Sequence, residues 1–269
     1  MNSSSAPAAN GNHANEDHAC YVYGVVPATA PAPVDVEGVG TPPAPVGLVR
    51  HGRVAALVSD VDPGEPLGTP DDLRAHARLL DSVAADSTPV LPFRFGGVVR
   101  DRQAVVEELL GPSEESFTAA LGELSGLVQF TVRGDYRQDR VLREILPERP
   151  DIARLREQTQ GMAADAGHPR QVQLGELVAQ EIAARREDDG RALLDRLAPL
   201  AVATADGSPT GEQAVDASFL IHHSERPAFE AAADHIAREW AYRINLRLLG
   251  PLAAYDFVAA AVEQVEGAT

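Results

Sequence analysis

The sequence contains no lysine: the 23 basic residues among its 269 are all arginine. This excludes a G-x-x-x-x-G-K-[ST] phosphate loop, a Schiff base to pyridoxal phosphate or a carbonyl substrate, and kinase-type phosphoryl transfer through a strand lysine. Cysteine is nearly as scarce. The single Cys20 cannot close an intramolecular disulfide, rules out a cysteine-based zinc site and suits a reducing compartment, so a cytoplasmic protein is expected. Long apolar runs are also missing. The longest, residues 54–58 and 257–262, fall far short of the roughly 20 residues of a membrane helix, so no membrane span is expected. Positive charge is in deficit, because 40 acidic residues leave a formal charge of −17. A surface of that sign repels phosphate backbones, and an aromatic content of 5% offers few stacking platforms, which argues against nucleic acid as a partner. Residues 1–18 have neither the basic nor the apolar region of a secretory signal and read as a disordered leader.

What remains is a chain that is 44% hydrophobic, enough for two cores. Its patterns predict an α+β protein of two domains, an N-terminal mixed α+β domain over residues 19–124 and a C-terminal domain over 125–269. Residues 20–26 read as a strand, and the proline-rich residues 27–45 as a connection that no helix crosses. Residues 48–50 and 53–61 read as a hairpin turning at His51 and Gly52. Thr69, Pro70, Asp71 and Asp72 form a helix start, followed by a stripe of Leu73, His76, Ala77, Leu80, Val83 and Ala84. Residues 89–99 resume extended structure, with Phe93 and Phe95 on one face and Arg94 on the other. Asp101 caps a helix that Gly111 and Pro112 end or break, and a short helix follows over 113–124.

In the second half, residues 127–133 alternate as a half-buried strand. A helical stretch of about 150–200 follows, read as a hairpin turning at Gly167, His168 and Pro169, with Met162 on its first arm and Leu193, Leu194 and Leu197 on a third helix. Residues 201–212 read as loop and 215–223 as a strand. A helix bearing Phe229, Ala232, Ala233, Ile236 and Trp240 comes next. Residues 243–249 read as a strand that Gly250 and Pro251 turn into a last strand near 255–258. This order matches a ferredoxin-like α+β unit with a helical-hairpin insertion.

Catalytic patterns are absent: there is no G-x-S-x-G, H-E-x-x-H or G-x-G-x-x-G. Adjacent His222 and His223 point to opposite faces of a strand and cannot share a metal ion, and neighbouring Asp234 and His235 diverge on a helix. Asp188 and Asp189 read as solvated helix positions. His76 is expected to be a core histidine with partnered nitrogens, and Arg94 a semi-buried clamp that needs a carboxylate. A small-molecule enzyme or ligand-binding protein on a ferredoxin-like scaffold is the alternative. It needs a polar pocket converging on His76 and Arg94.

Four segments carry a resemblance: YVYGVV with Tyr21, Tyr23 and Gly24; RVAALVSDV at 53–61; the segment from His76 to LPFRFGG, with Pro92, Arg94, Phe95 and Gly96; and RINLRLLGPLAAYDFV, with Arg247, Gly250, Pro251, Tyr255 and Phe257. In these segments the chain resembles the GvpF/GvpL family of gas vesicle proteins. It departs from the family pattern at Gly97, where a threonine is common, and at Leu252, Ala253 and Ala254, where a Trp-Pro-Pro run is common. The resemblance implies an accessory or minor structural protein needed to build gas vesicles, located in the cytoplasm and at the vesicle. It implies contacts with the hydrophobic shell protein GvpA and other accessory proteins, and neither a cofactor nor catalysis. The residues around 243–257 or the hairpin over 151–186 are the expected docking surfaces.

Overall fold

A computed structural model describes residues 19–160 and 164–258, with the side chains of 164–168 left aside. The expected leader and Met162 lie outside the described residues. Two compact units emerge, the first made of residues up to Leu79 together with Phe93–Glu114, the second of Leu80–Pro92 and the chain from Glu115 onward.

In the first unit, β1 (Ala19–Pro27) pairs antiparallel with β3 (Val54–Val61), which pairs with β2 (Gly47–His51). The β2–β3 turn falls at Gly52, where a positive φ of 52° suits glycine. β1 and β3 are buried along almost their whole length, as their mainly apolar sequences require, with Asp60 the exposed exception. Helix α1 (Pro70–Ala85) starts where the capping pattern placed it. Asp72 N–H donates to Thr69 Oγ1 at 3.2 Å and Thr69 N–H to Asp72 Oδ2 at 2.9 Å, a reciprocal capping box. Its buried face differs from the expected stripe: Leu73 is 48% exposed, and Asp72, His76, Leu79, Leu80 and Ala84 are buried. The capping carboxylate turns inward, so the true face lies a fraction of a turn from the all-apolar one.

After the two-residue strands β4 (Leu91–Pro92) and β5 (Val98–Val99), β5 pairs with β1 through Cys20 and Tyr21. Asp101 caps α2 (Arg102–Ala104) by accepting the Ala104 N–H at 2.7 Å. Gly111 and Pro112 break the α-helical ladder without ending the helix. A π-helical stretch over Val105–Leu110 leads directly into α3 (Gly111–Glu123), and Gly111 N–H reaches the Val106 carbonyl, five residues back. Widening the turn gives Pro112, which has no N–H and crowds the preceding turn, a place inside a continuous helix.

The second unit is built on β6 (Leu127–Tyr136). After it come α4 (Gln138–Glu148), α5 (Pro150–Thr159), α6 (Ala164–Leu197), β7 (Ala203–Asp206), β8 (Gln213–His222), α7 (Arg226–Trp240) and β9 (Ile244–Leu252). The antiparallel strand order is β7–β8–β6–β9. Phe130, Phe219 and Phe229 pack with ring centroids 5.3–5.6 Å apart at the centre of a core that α7 closes with Ile236 and Trp240.

Several boundaries move. Gly167, His168 and Pro169 lie within α6, not at a turn, and the expected third helix is the end of the same α6. The residues read as loop over 201–212 contain β7, an edge strand too short to show a period. The expected last strand is a 3-10 turn, Tyr255–Phe257, and β9 runs through Gly250 and Pro251. A proline is tolerated there because β9 is an edge strand, and the β6–β9 register shifts between Gln129 and Thr131, opposite this pair.

Gly250 has φ 145°, and a Cβ there would stand 2.5 Å from the Phe130 ring. Gly250→Ala is therefore expected to destabilise the fold by roughly 2 kcal/mol or more, read as a lower urea midpoint at unchanged slope. An unchanged midpoint would show that β9 shifts freely away from Phe130.

Candidate functional site

The first group of motif residues closes around His76. Tyr21 and Tyr23 lie on one side of β1 with ring centroids 4.7 Å apart, and α1 carries the buried imidazole beside them. His76 Nε2 lies 3.1 Å from the Phe93 carbonyl oxygen and Nδ1 2.9 Å from Tyr21 Oη. A carbonyl only accepts, so Nε2 carries the proton and the bare Nδ1 accepts from the Tyr21 hydroxyl. The Tyr21 oxygen in turn accepts the Gly96 N–H at 3.1 Å. Tyr23 Oη accepts the Val39 N–H at 2.8 Å and lies 2.8 Å from Ser59 Oγ. Phe95 closes the group, 5.6 Å from the His76 ring centroid.

Burial holds the His76 pKa below its ordinary 6.5 despite the Phe93 carbonyl, and burial pushes both tyrosines up. Cys20 is likewise pushed up by burial, to about 11, which makes it an inert core thiol. Burial opposes ionisation of Asp72 too, but donors from Gly40, Thr69 and Gly68 outweigh it and hold the carboxyl low.

His76 is thus the expected core histidine, with both nitrogens committed and neither left for a metal or substrate. Arg94 is not semi-buried as expected. Phe95 and Gly96 form a turn, Gly96 with φ 107°, and Arg94 stands exposed while Pro92 and Phe93 are buried. A turn here does not alternate faces as a strand would: His76 is buried and Arg94 is at the surface. Gly24 sits in buried β1 at the register shift after Val22. His222 is exposed and His223 Nε2 lies 3.1 Å from the Ala84 carbonyl, so the pair does not share an ion. Among the described residues no group of three or more His, Cys, Asp or Glu is placed to hold a metal.

The closing segment gathers the second group. Tyr255, Phe257 and Pro251 are half-buried, and Asp256, between the two aromatics, supplies the polar bonds. Its Oδ2 accepts from Gln129 Nε2 and from Ser218 Oγ, each at 2.6 Å, and its N–H donates to Gln129 Oε1 at 3.2 Å. Thr131 and Ser218, partners across β6 and β8, bond at 2.8 Å. Gln129 and Thr131 are therefore buried, not solvent-facing as simple alternation predicts, because the closing segment covers that face. Asp81 accepts the Ala253 N–H at 3.0 Å, and burial raises its pKa. Arg247 pairs with Asp135 at 2.8 Å on the exposed side.

A third cluster escaped the sequence reading. Asp189 is 5% exposed, not solvated: it accepts the Tyr136 hydroxyl at 2.8 Å and is gripped at both oxygens by Arg243, whose guanidinium lies over Trp240. The Asp189 bonds hold the Arg243 pKa above its ordinary value. Nothing in the run of acids and arginines on α6 distinguishes Asp189 from its neighbours.

The His76 geometry sets a pH dependence. An unfolded histidine titrates near 6.5 and the folded one lower, so below 6.5 the unfolded chain binds more protons. Stability from this group is complete above 6.5 and is lost as pH falls toward the folded value. His76→Gln should cost roughly 1–3 kcal/mol at pH 7.5 and flatten the decline between about pH 6.5 and 5. Equal slopes for variant and wild type in urea titrations would refute the neutral, doubly bonded imidazole.

The family model described as gas vesicle synthesis protein GvpL/GvpF matches residues 19–259. The chain is 31% identical over 239 residues to gas vesicle protein F of a Streptomyces species, covering 88% of this chain and 98% of that one. It is 24% identical to gas vesicle protein F of a Nostoc species, covering 88% and 96%. In structure it resembles the crystal structure of GvpF from an Anabaena species, with TM-score 0.73 at 24% identity, covering 89% of this chain and 98% of that one. The fold of GvpF from Microcystis aeruginosa matches with TM-score 0.70 at 22% identity and the same coverage. With two sheets and flanking helices in the same arrangement and a family match over nearly all of the described chain, this protein belongs to the GvpL/GvpF family of gas vesicle synthesis proteins.

Proposed function

We propose that the protein acts in building gas vesicles, as an accessory or minor structural component that contacts the hydrophobic shell protein GvpA and other accessory proteins, in the cytoplasm and at the vesicle. The observation that carries this reading is the family match over residues 19–259. The buried motif residues fit it: they tie segments together through neutral and ion-paired hydrogen bonds and leave no committed nucleophile or base at a cleft. The reading therefore includes no catalysis and no cofactor. The charge of −17 fits as well, since a protein that handles an apolar, edge-pairing subunit gains solubility from like-charge repulsion. Among the described residues no helix is long and apolar enough to cross a membrane.

We also read the second half, from residue 125, as a ferredoxin-like domain into which α4, α5 and α6 are inserted, with residues 19–124 as an N-terminal α+β domain. The order β9–β6–β8–β7 supports this, because it is the 4-1-3-2 arrangement of a β-α-β-β-α-β unit.

Deleting the gene in its native host should abolish or sharply reduce vesicles in electron micrographs, and the full-length gene should restore them. Full-length tagged protein should retain GvpA from the same cells. Vesicles of normal number and shape in the deletion strain would overturn the proposal, and failure to retain GvpA would remove the shell-protein contact from it.

A further inference from the structure

Helices α4, α5 and α6 enclose an open groove of about 570 Å³ within the second unit. Its walls are apolar ridges spaced one turn apart, Leu142 and Leu146 on α4 and Leu174 and Val178 on α6, with buried Ile152 of α5 at the floor. Leu142, on the α4 wall, is 36% exposed.

Two further features say what fits. The first is Gly175, in the interior of α6 between Leu174 and Val178. A Cβ there would meet nothing within 4 Å, so no neighbour within the chain requires glycine, although glycine weakens a helix relative to alanine. The missing side chain leaves a notch in the groove wall that lets another backbone approach closely. The second is the charge at the mouth. On a chain of net −17, the charged groups lining this groove are Arg143, Arg156 and Asp139. The Asp139 carboxylate is shared by Arg140 at 3.4 Å and Arg143 at 3.6 Å. Among the described residues, Arg156 has no carboxylate within ion-pair distance. The mouth is therefore locally positive, with two guanidinia against the single Asp139 carboxylate, and suits the carboxylates of a partner.

Helix walls offer no free backbone donors or acceptors, so an extended strand lying here would leave its own amides unpaired against apolar side chains. A helix satisfies its backbone internally and presents ridges to this surface. We propose that the groove seats an amphipathic helix of a partner protein, two to three turns long, with an apolar stripe flanked by acidic side chains. The partner's apolar ridge lies between α4 and α6, its backbone passes over Gly175, and its carboxylates meet Arg156 and Arg143. This deepens, and rests on, the reading of the chain as a partner-binding assembly protein.

The test uses the full-length protein and synthetic peptides of about 18 residues, all with leucines at i, i+3, i+4 and i+7. One peptide carries flanking glutamates, one flanking lysines, and one is a scramble of the first. Fluorescence anisotropy should show the glutamate peptide binding at least about tenfold more tightly than either control. The double variant Arg143→Glu, Arg156→Glu should reverse the preference toward the lysine peptide. Gly175→Leu should fill the notch and lower affinity at least about tenfold in a protein that circular dichroism shows to be folded, with Tm at or above that of wild type, since leucine favours a helix interior over glycine and a Cβ at this position meets nothing within 4 Å. Equal binding of the two charged peptides, no binding at micromolar concentration, or wild-type affinity in a folded Gly175→Leu protein would each overturn the proposal. A dimer in sedimentation that Gly175→Leu dissociates would also overturn it, by making a second copy the occupant. If gene deletion abolishes vesicles yet the peptides show no preference, the groove proposal fails and the assembly role stands; the converse outcome separates them the other way.

Discussion

A polar side chain shut away from water must find a partner or cost the fold about 1–3 kcal/mol, and this chain shuts away many of them. The imidazole of His76, the amide of Gln129 and the carboxylate of Asp189 each lie 5% exposed or less. Each is satisfied by residues distant in sequence: His76 by Tyr21 and Phe93, Gln129 by Ser218 and Asp256, Asp189 by Tyr136 and Arg243. A segment out of register by one residue would strand at least one of these groups. The apolar core of Phe130, Phe219 and Phe229 drives collapse, but it tolerates many packings. The hydrogen-bonded clusters select among them.

How much of this was legible in the sequence depends on the range of the forces involved. Local rules worked where the cause was local. Thr69 and Asp72 marked the start of α1, Asp101 capped the next helix, the hairpin expected at His51 and Gly52 turns one residue later at Gly52 and Arg53, and the stripe of Phe229, Ile236 and Trp240 gave the buried face of α7. They failed where a distant segment changed the environment. Gln129 and Thr131 alternate as a half-exposed strand should, and are buried because the closing turn at Asp256 covers them. Leu73 belongs to an apolar stripe, yet the capping carboxylate of Asp72 takes the inward position. Gly167 and Pro169 are turn residues by composition and lie within a helix, and Pro112 sits in one by means of a π-helical turn. Of the candidate site, His76 was legible as a core histidine. Asp189 and Asp256 were not, because one acid in an acidic chain carries no mark of its future partner.

The absence of lysine has a structural counterpart in how arginine is used. Arg243 grips both oxygens of Asp189 while lying over Trp240, and Arg149 bridges Asp151 and Glu181, geometries that a planar guanidinium meets and an ammonium does not. Most of the remaining pairs are exposed and add little to stability individually. The excess of acids over arginines then leaves a surface that repels its own copies, with the mouth of the α4–α6 groove an exception in sign.

On this view the motif residues hold the fold, and the work of the protein is done by surfaces that the fold presents. The most direct test compares vesicle yield with the amount of folded protein in cells carrying Tyr21→Phe, Gln129→Ala, Asp189→Asn or Asp256→Asn, each measured at several growth temperatures. If the motifs act through stability, all variants fall on one curve of vesicle yield against folded protein, and cooling restores both together. A variant that accumulates folded protein at the wild-type level and still makes no vesicles would contradict this, and would show that its cluster is itself a site of function.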